Sequence, residues 1–142
     1  MGIPGKAYRA TREEKTRIRA ALAAALEARP EIRFAWLHGS FLGDLAFHDI
    51  DVAVITAGRP DNPLLQAAQL AGALGELAAY PVDVRIVNEA PVSFLFSVIR
   101  GEILVDRDPE ERCRFAEEVA RRYLDIKPIL VQATREAFGR AP

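Results

Sequence analysis

"HGSFLGDLAFHDIDVAV", residues 38–54, decides how the rest of this sequence reads. A glycine–serine pair leads into a mostly apolar run, and Asp49 and Asp51 then stand at the mouth of a strand-like segment. Ionised carboxylates are costly at such a place unless they are paired or hold a cation. One residue separates the two, so an extended backbone points both side chains to the same face. Two negative charges aimed together repel, and a positive partner belongs between them.

On the N-terminal side, "IRFAWLH" (32–38) is a β-branched and aromatic run that Gly39-Ser40 ends, which predicts a strand. On the C-terminal side, "DIDVAVI" (49–55) predicts a second strand, stopped by the turn residues of "TAGRPDNP". Thr11 and Glu14 have capping-box spacing, so 12–29 predicts a helix ended by Pro30, with residues 1–10 as a loose lead-in. "PLLQAAQLAGALGELAAY" (63–80) predicts another helix, weakened by Gly72 and Gly75. "PVDVRIV" (81–87) alternates, with Val82, Val84 and Ile86 on one face and Asp83, Arg85 and Val87 on the other. Pro91 opens a short helix that Gly101 closes, and 102–108 predicts an edge strand. Asp108-Pro109 with Glu111 starts a final helical segment, 109–139, expected to break at Pro128. The order implies an α/β (α+β) fold, a small mixed β-sheet flanked by helices.

At 142 residues the chain has the size of one domain, and with 50% hydrophobic residues it has ordinary globular composition. Its 19 basic and 20 acidic residues give a net charge of −1, which argues against nucleic-acid binding by bulk electrostatics. One cysteine excludes an internal disulfide framework, and two histidines exclude a His-rich metal site. Cys113 is expected to be a semi-buried structural thiol. No apolar run has membrane-spanning length, and the first residues lack a signal-peptide core, so the expectation is a soluble, cytoplasmic protein.

A glycine lets backbone approach a ligand closely, and a serine at a helix start turns amides and a hydroxyl toward an anion, which suits phosphate. Mg²⁺ prefers one or two carboxylates together with substrate phosphate oxygens, and Asp49 and Asp51 supply them. Asp83, on a neighbouring strand, is the candidate third carboxylate, as metal ligand or general base. Its alternative is a same-face salt bridge to Arg85. His38 reads as structural, and His48 as structural or substrate-contacting. Trp36, Phe34, Phe94, Phe96 and Tyr123 read as packing residues, and Arg135 and Arg140 as a solvated helix face.

"LHGSFLGDLAFHDIDVAVI" resembles the GS-x(n)-DxD signature of polymerase-β-like nucleotidyltransferases. With "VDVRIVNEAPVSFLFSVIRGEILVDRD", the chain is similar over residues 32–127 to the minimal nucleotidyltransferase (MNT) group, whose members include antitoxins encoded beside HEPN-domain ribonuclease toxins. The resemblance implies one nucleotidyltransferase domain over 1–142. Gly39 and Ser40 would hold the triphosphate of ATP, and Asp49, Asp51 and Asp83 would hold two Mg²⁺ ions and carry catalysis. It implies AMP transfer to a tyrosine of a HEPN-type toxin as partner. Phe41 and Leu42 stand where relatives often carry an arginine, His48 stands where a serine is common, and the Ser40–Asp49 connection is short. Arg85 and Arg100 are the candidates to replace the missing cation. Two alternatives stay open: a non-catalytic antitoxin that neutralises by binding alone, and an adenylyltransferase acting on a small-molecule hydroxyl.

Overall fold

The computed structural model describes residues 5–138. The run 32–38 forms β1 (Ile32–His38), and β2 (Ile50–Thr56) returns antiparallel beside it. β3 (Val82–Ile86) lies parallel to β2, and β4 (Glu102–Asp106) lies antiparallel to β1. The sheet order is β3-β2-β1-β4, so the two strands around the opening motif are central and β4 is the expected edge. β1 is apolar at nearly every position because helices cover both of its faces.

One face packs on α1 (Arg12–Glu27) and α2 (Pro63–Ala78), where Ile18, Leu22, Leu26, Leu70 and Leu74 meet Leu37, Ile50, Val52, Val54 and Val84. The other face packs on α3 (Val92–Ile99) and α4 (Pro109–Phe138), with Phe34, Trp36, Ala53 and Val87 against Leu95, Val98 and Val119. α1 starts with the expected capping box: Glu14 N–H donates to Thr11 Oγ1 at 3.1 Å and Thr11 N–H to Glu14 Oε1 at 3.2 Å. α2 follows an Asn62 cap with Pro63 in its first turn.

Four expectations are corrected. The lead-in is docked from Lys6 onward, because the Lys6 carbonyl accepts from His48, the Tyr8 backbone bridges Phe47 in both directions (2.7 and 3.0 Å) and the Tyr8 ring meets Phe47 and Tyr80. α4 is not broken at Pro128 but runs through it as one element. The proline removes one N–H donor, and the carbonyl it would have used belongs to exposed Leu124, where water can take its place. Cys113 is exposed, because the inward stripe of α4 runs through Phe115, Val119 and Tyr123 at helical spacing and leaves position 113 off it. Strand β2 begins at Ile50 rather than at residue 49. Residues 1–4 of the lead-in, Gly139 at the end of the expected final segment, and Arg140, expected on a solvated helix face, lie outside the described residues.

Where α3 turns into β4, the chain presses against the end of β1. A Cβ on Gly101 would overlap the carbonyl oxygen of Leu37 and come within 3.1 Å of His38 Cβ and Val98 O. Gly101→Ala is expected to destabilise the fold by about 1–3 kcal/mol, because backbone rather than a flexible side chain must move. Urea denaturation checks it, with a lowered midpoint and unchanged slope as the expected result.

Candidate active site

The sheet register builds the site. His38 of β1 stands opposite Asp51 of β2, and Asp51 stands beside Asp83 of β3. Neighbours across strands share a face, so these three side chains form a row on the face that carries α3. Asp49, just before β2, joins them. One carboxylate oxygen each from Asp49, Asp51 and Asp83 can be chosen so that all lie within 4.8 Å of one another. All three residues are part-exposed, so the cluster is reachable from solvent.

Gly39 follows β1 directly, with φ 85°, and leads into a single 3-10 turn, Ser40–Leu42. That φ favours glycine, and an added Cβ would overlap Asp51 Oδ2. Backbone therefore closes one side of the acidic cluster at a spot where no other residue fits. Ser40 is exposed beside it.

The family described as polymerase beta, nucleotidyltransferase matches residues 21–110, a span that contains Gly39, Ser40 and all three aspartates. The chain belongs to this family. No curated protein matches it. Among solved structures, a chain of the tri-AMPylated Shewanella oneidensis HEPN toxin in complex with MNT antitoxin is 22% identical, with a TM-score of 0.64 over 87% of this chain and 93% of that one. A chain of the toxin–antitoxin MntA–HepT is 22% identical with a TM-score of 0.59, covering 89% of this chain and 94% of that one. A toxin–antitoxin with AMP-PNP gives 24% identity and 0.61, again covering 89% and 94%. At this identity the likeness shows a shared nucleotidyltransferase fold.

The donor set of the site fits a hard divalent cation: three carboxylates and no soft ligand. Its electrostatics fit as well. Burial, then the charge of Asp49 and a hydrogen bond to it, then the charge of Asp83, push the Asp51 carboxyl up to about 7, with Arg85 pulling weakly the other way. A group this reluctant to ionise beside other carboxylates is short of positive charge, which Mg²⁺ would supply.

The remaining charged and aromatic neighbours divide clearly. Arg85 Nε lies 3.3 Å from Asp83 Oδ2, and its guanidinium covers the Phe94 ring at 5.4 Å. Asp83 thus combines the salt bridge to Arg85 with a place in the carboxylate cluster. Arg100 instead covers Phe96 at 5.7 Å, and Phe96 stacks on Tyr123 with ring centroids 4.0 Å apart. His38 stands edge-on to Phe94, and burial holds its pKa below the usual value against the opposing pull of Asp83. His48 is exposed and donates from Nδ1 to the Lys6 carbonyl at 2.8 Å, a contact that ties down the lead-in. Phe41 is fully buried against Phe47, so the position of the missing arginine serves the core.

One residue beside the site escaped the sequence reading. Lys15 is 9% exposed and reaches from α1 to the backbone of the 3-10 turn. Its signal was its position in the apolar stripe Lys15, Ile18, Leu22, Leu26, where a lysine is out of place.

The raised Asp51 pKa fixes a pH dependence. The folded state holds the Asp51 proton more tightly than the unfolded chain, whose carboxyl titrates near 3.8. The resulting stability is complete below the unfolded value and lost as pH rises through about 7. Asp51→Asn is therefore expected to raise metal-free stability at pH 8, by about 1 kcal/mol after allowance for solvent screening, with the gain vanishing by pH 4. Added Mg²⁺ should raise the Tm of the wild-type protein and leave that of Asp51→Asn unchanged, as differential scanning fluorimetry across pH will read.

Proposed function

We propose that the protein transfers AMP from ATP to a tyrosine hydroxyl of a HEPN-type ribonuclease toxin in the cytoplasm, and so acts as its antitoxin. The observation that carries this reading is the convergence of Asp49, Asp51 and Asp83 beside the Gly39–Ser40 turn. Family membership supports the reaction class. The fold likeness to chains of MNT antitoxin–HEPN toxin complexes, one with a tri-AMPylated toxin, supports the partner.

In this reading Gly39 and Ser40 hold the triphosphate, and Asp49, Asp51 and Asp83 hold two Mg²⁺ ions. Bound there, Mg²⁺ would supply positive charge against the phosphate oxygens. The tyrosine oxygen attacks the α-phosphorus in line, the bond to the bridging oxygen breaks, and pyrophosphate leaves. Asp83 takes the phenolic proton. Arg85 stands in for the arginine missing after Ser40, because it is the guanidinium that touches the acidic cluster, whereas Arg100 is occupied on Phe96. A cation there offsets charge that grows on the transferring phosphoryl group.

The test combines the purified protein, ATP, Mg²⁺ and a HEPN-domain protein encoded beside it, and reads intact mass. The toxin should gain whole AMP units, Asp49→Asn should abolish the gain without loss of fold, and Arg85→Ala should slow it by about tenfold or more. A stable complex with no mass gain would make the protein a binding antitoxin. Failure to bind the toxin, with AMP appearing on a small hydroxyl compound, would assign the site to a small-molecule acceptor.

A further inference from the structure

The turn after Gly39 is held from below by a buried lysine that the chemistry above does not use. Lys15 Nζ donates to the carbonyl oxygens of Phe41 at 2.8 Å and Gly43 at 2.9 Å. It lies over the rings of Phe41 and Phe47 at 4.9 and 5.4 Å. Among the described residues no carboxylate forms an ion pair with it. An ammonium in that position loses hydration, and a methionine would fill the same stripe of α1 without that loss. Packing alone therefore gives no reason for a lysine there.

We propose that Lys15 is the positioning residue of the Gly39–Ser40 turn, fixing the backbone on which the triphosphate of ATP is held; this rests on the nucleotidyltransferase reading. The turn has a glycine at each end, Gly39 and Gly43, and its own backbone bonds are two, Leu42 N–H to Gly39 O at 3.2 Å and Gly43 N–H to Ser40 O at 3.0 Å. Lys15 adds two shorter, charge-assisted bonds to carbonyls on either side of Leu42. It also places a positive charge beneath a segment whose positions 41 and 42 carry none. Its contacts are to backbone and rings, so it acts through the turn and touches no reacting atom.

The test uses Lys15→Met, with Lys15→Gln as a second variant should the first fail to fold, and Ile18→Val as a control in the same buried stripe that removes one methyl group and no hydrogen bond to the turn. Hydrogen exchange without nucleotide should accelerate at amides 42 and 43, the two hydrogen-bonded within the turn, by about tenfold in the Lys15 variants, while β1 and β2 amides stay protected. AMP transfer should then show the KM for ATP raised about tenfold, with kcat and the KM for the toxin changed less than about twofold. Unchanged exchange at 42 and 43, or an equal rise in KM for ATP in Ile18→Val, would overturn the proposal. A wild-type protein that transfers no AMP would instead overturn the nucleotidyltransferase reading, and the nucleotide-free exchange would still decide whether Lys15 holds the turn.

Discussion

The hydrogen-bonded ladder across β1, β2 and β3 holds three carboxylates together against their mutual repulsion, and the rest of the site is arranged around that constraint. Asp51 pairs in register with His38 on one side and Asp83 on the other. A slip of one residue would send each of these side chains to the opposite face. The register resists slipping because β1 and β2 are apolar on both faces, with Leu37, Ile50, Val52 and Val54 against α1 and α2 and Phe34, Trp36 and Ala53 against α3 and α4. Hydrophobic burial thus supplies the free energy that keeps like charges adjacent. The raised pKa of Asp51 is the visible sign of the opposing electrostatic cost.

The two faces of the sheet are put to different uses. On the α1–α2 side the apolar contacts are continuous from Ile32 to Val84. On the other side α3 and α4 bury Phe34 and Trp36, and the row then changes to His38, Asp51 and Asp83. Phe94 marks the border, with the His38 ring perpendicular to its own and Arg85 over its face. The carboxylates consequently sit beside a low-dielectric wall yet stay part-exposed, a position from which a phosphate chain can approach.

The short connection from Ser40 to Asp49 does structural and chemical service with few residues. Phe41 and Phe47 are both fully buried and meet edge to face, so the connection is pinned to the core at each end. Using position 41 for packing removes it as a site for a cation. Positive charge returns from two distant places, Arg85 on β3 beside Asp83 and Lys15 on α1 beneath the turn. Neither is close in sequence to the motif it serves.

Much of this was legible in the residues alone. The span of β1, the capped start of α1 and the shared face of Asp49 and Asp51 follow from side-chain period, capping chemistry and the cost of unpaired charge, all of which act over a few residues, and Asp83 was named with them from its place at a strand start. Long-range contacts decided the rest. The docking of Tyr8 on Phe47, the continuity of α4 through Pro128 and the exposure of Cys113 depend on what each surface meets after folding. So do the contact of Arg85 with Asp83, the placement of Arg100 over Phe96 and the burial of Lys15 against a turn 26 residues away. Local spacing states which way a side chain points; only the packed chain determines which distant backbone or charge it finds there.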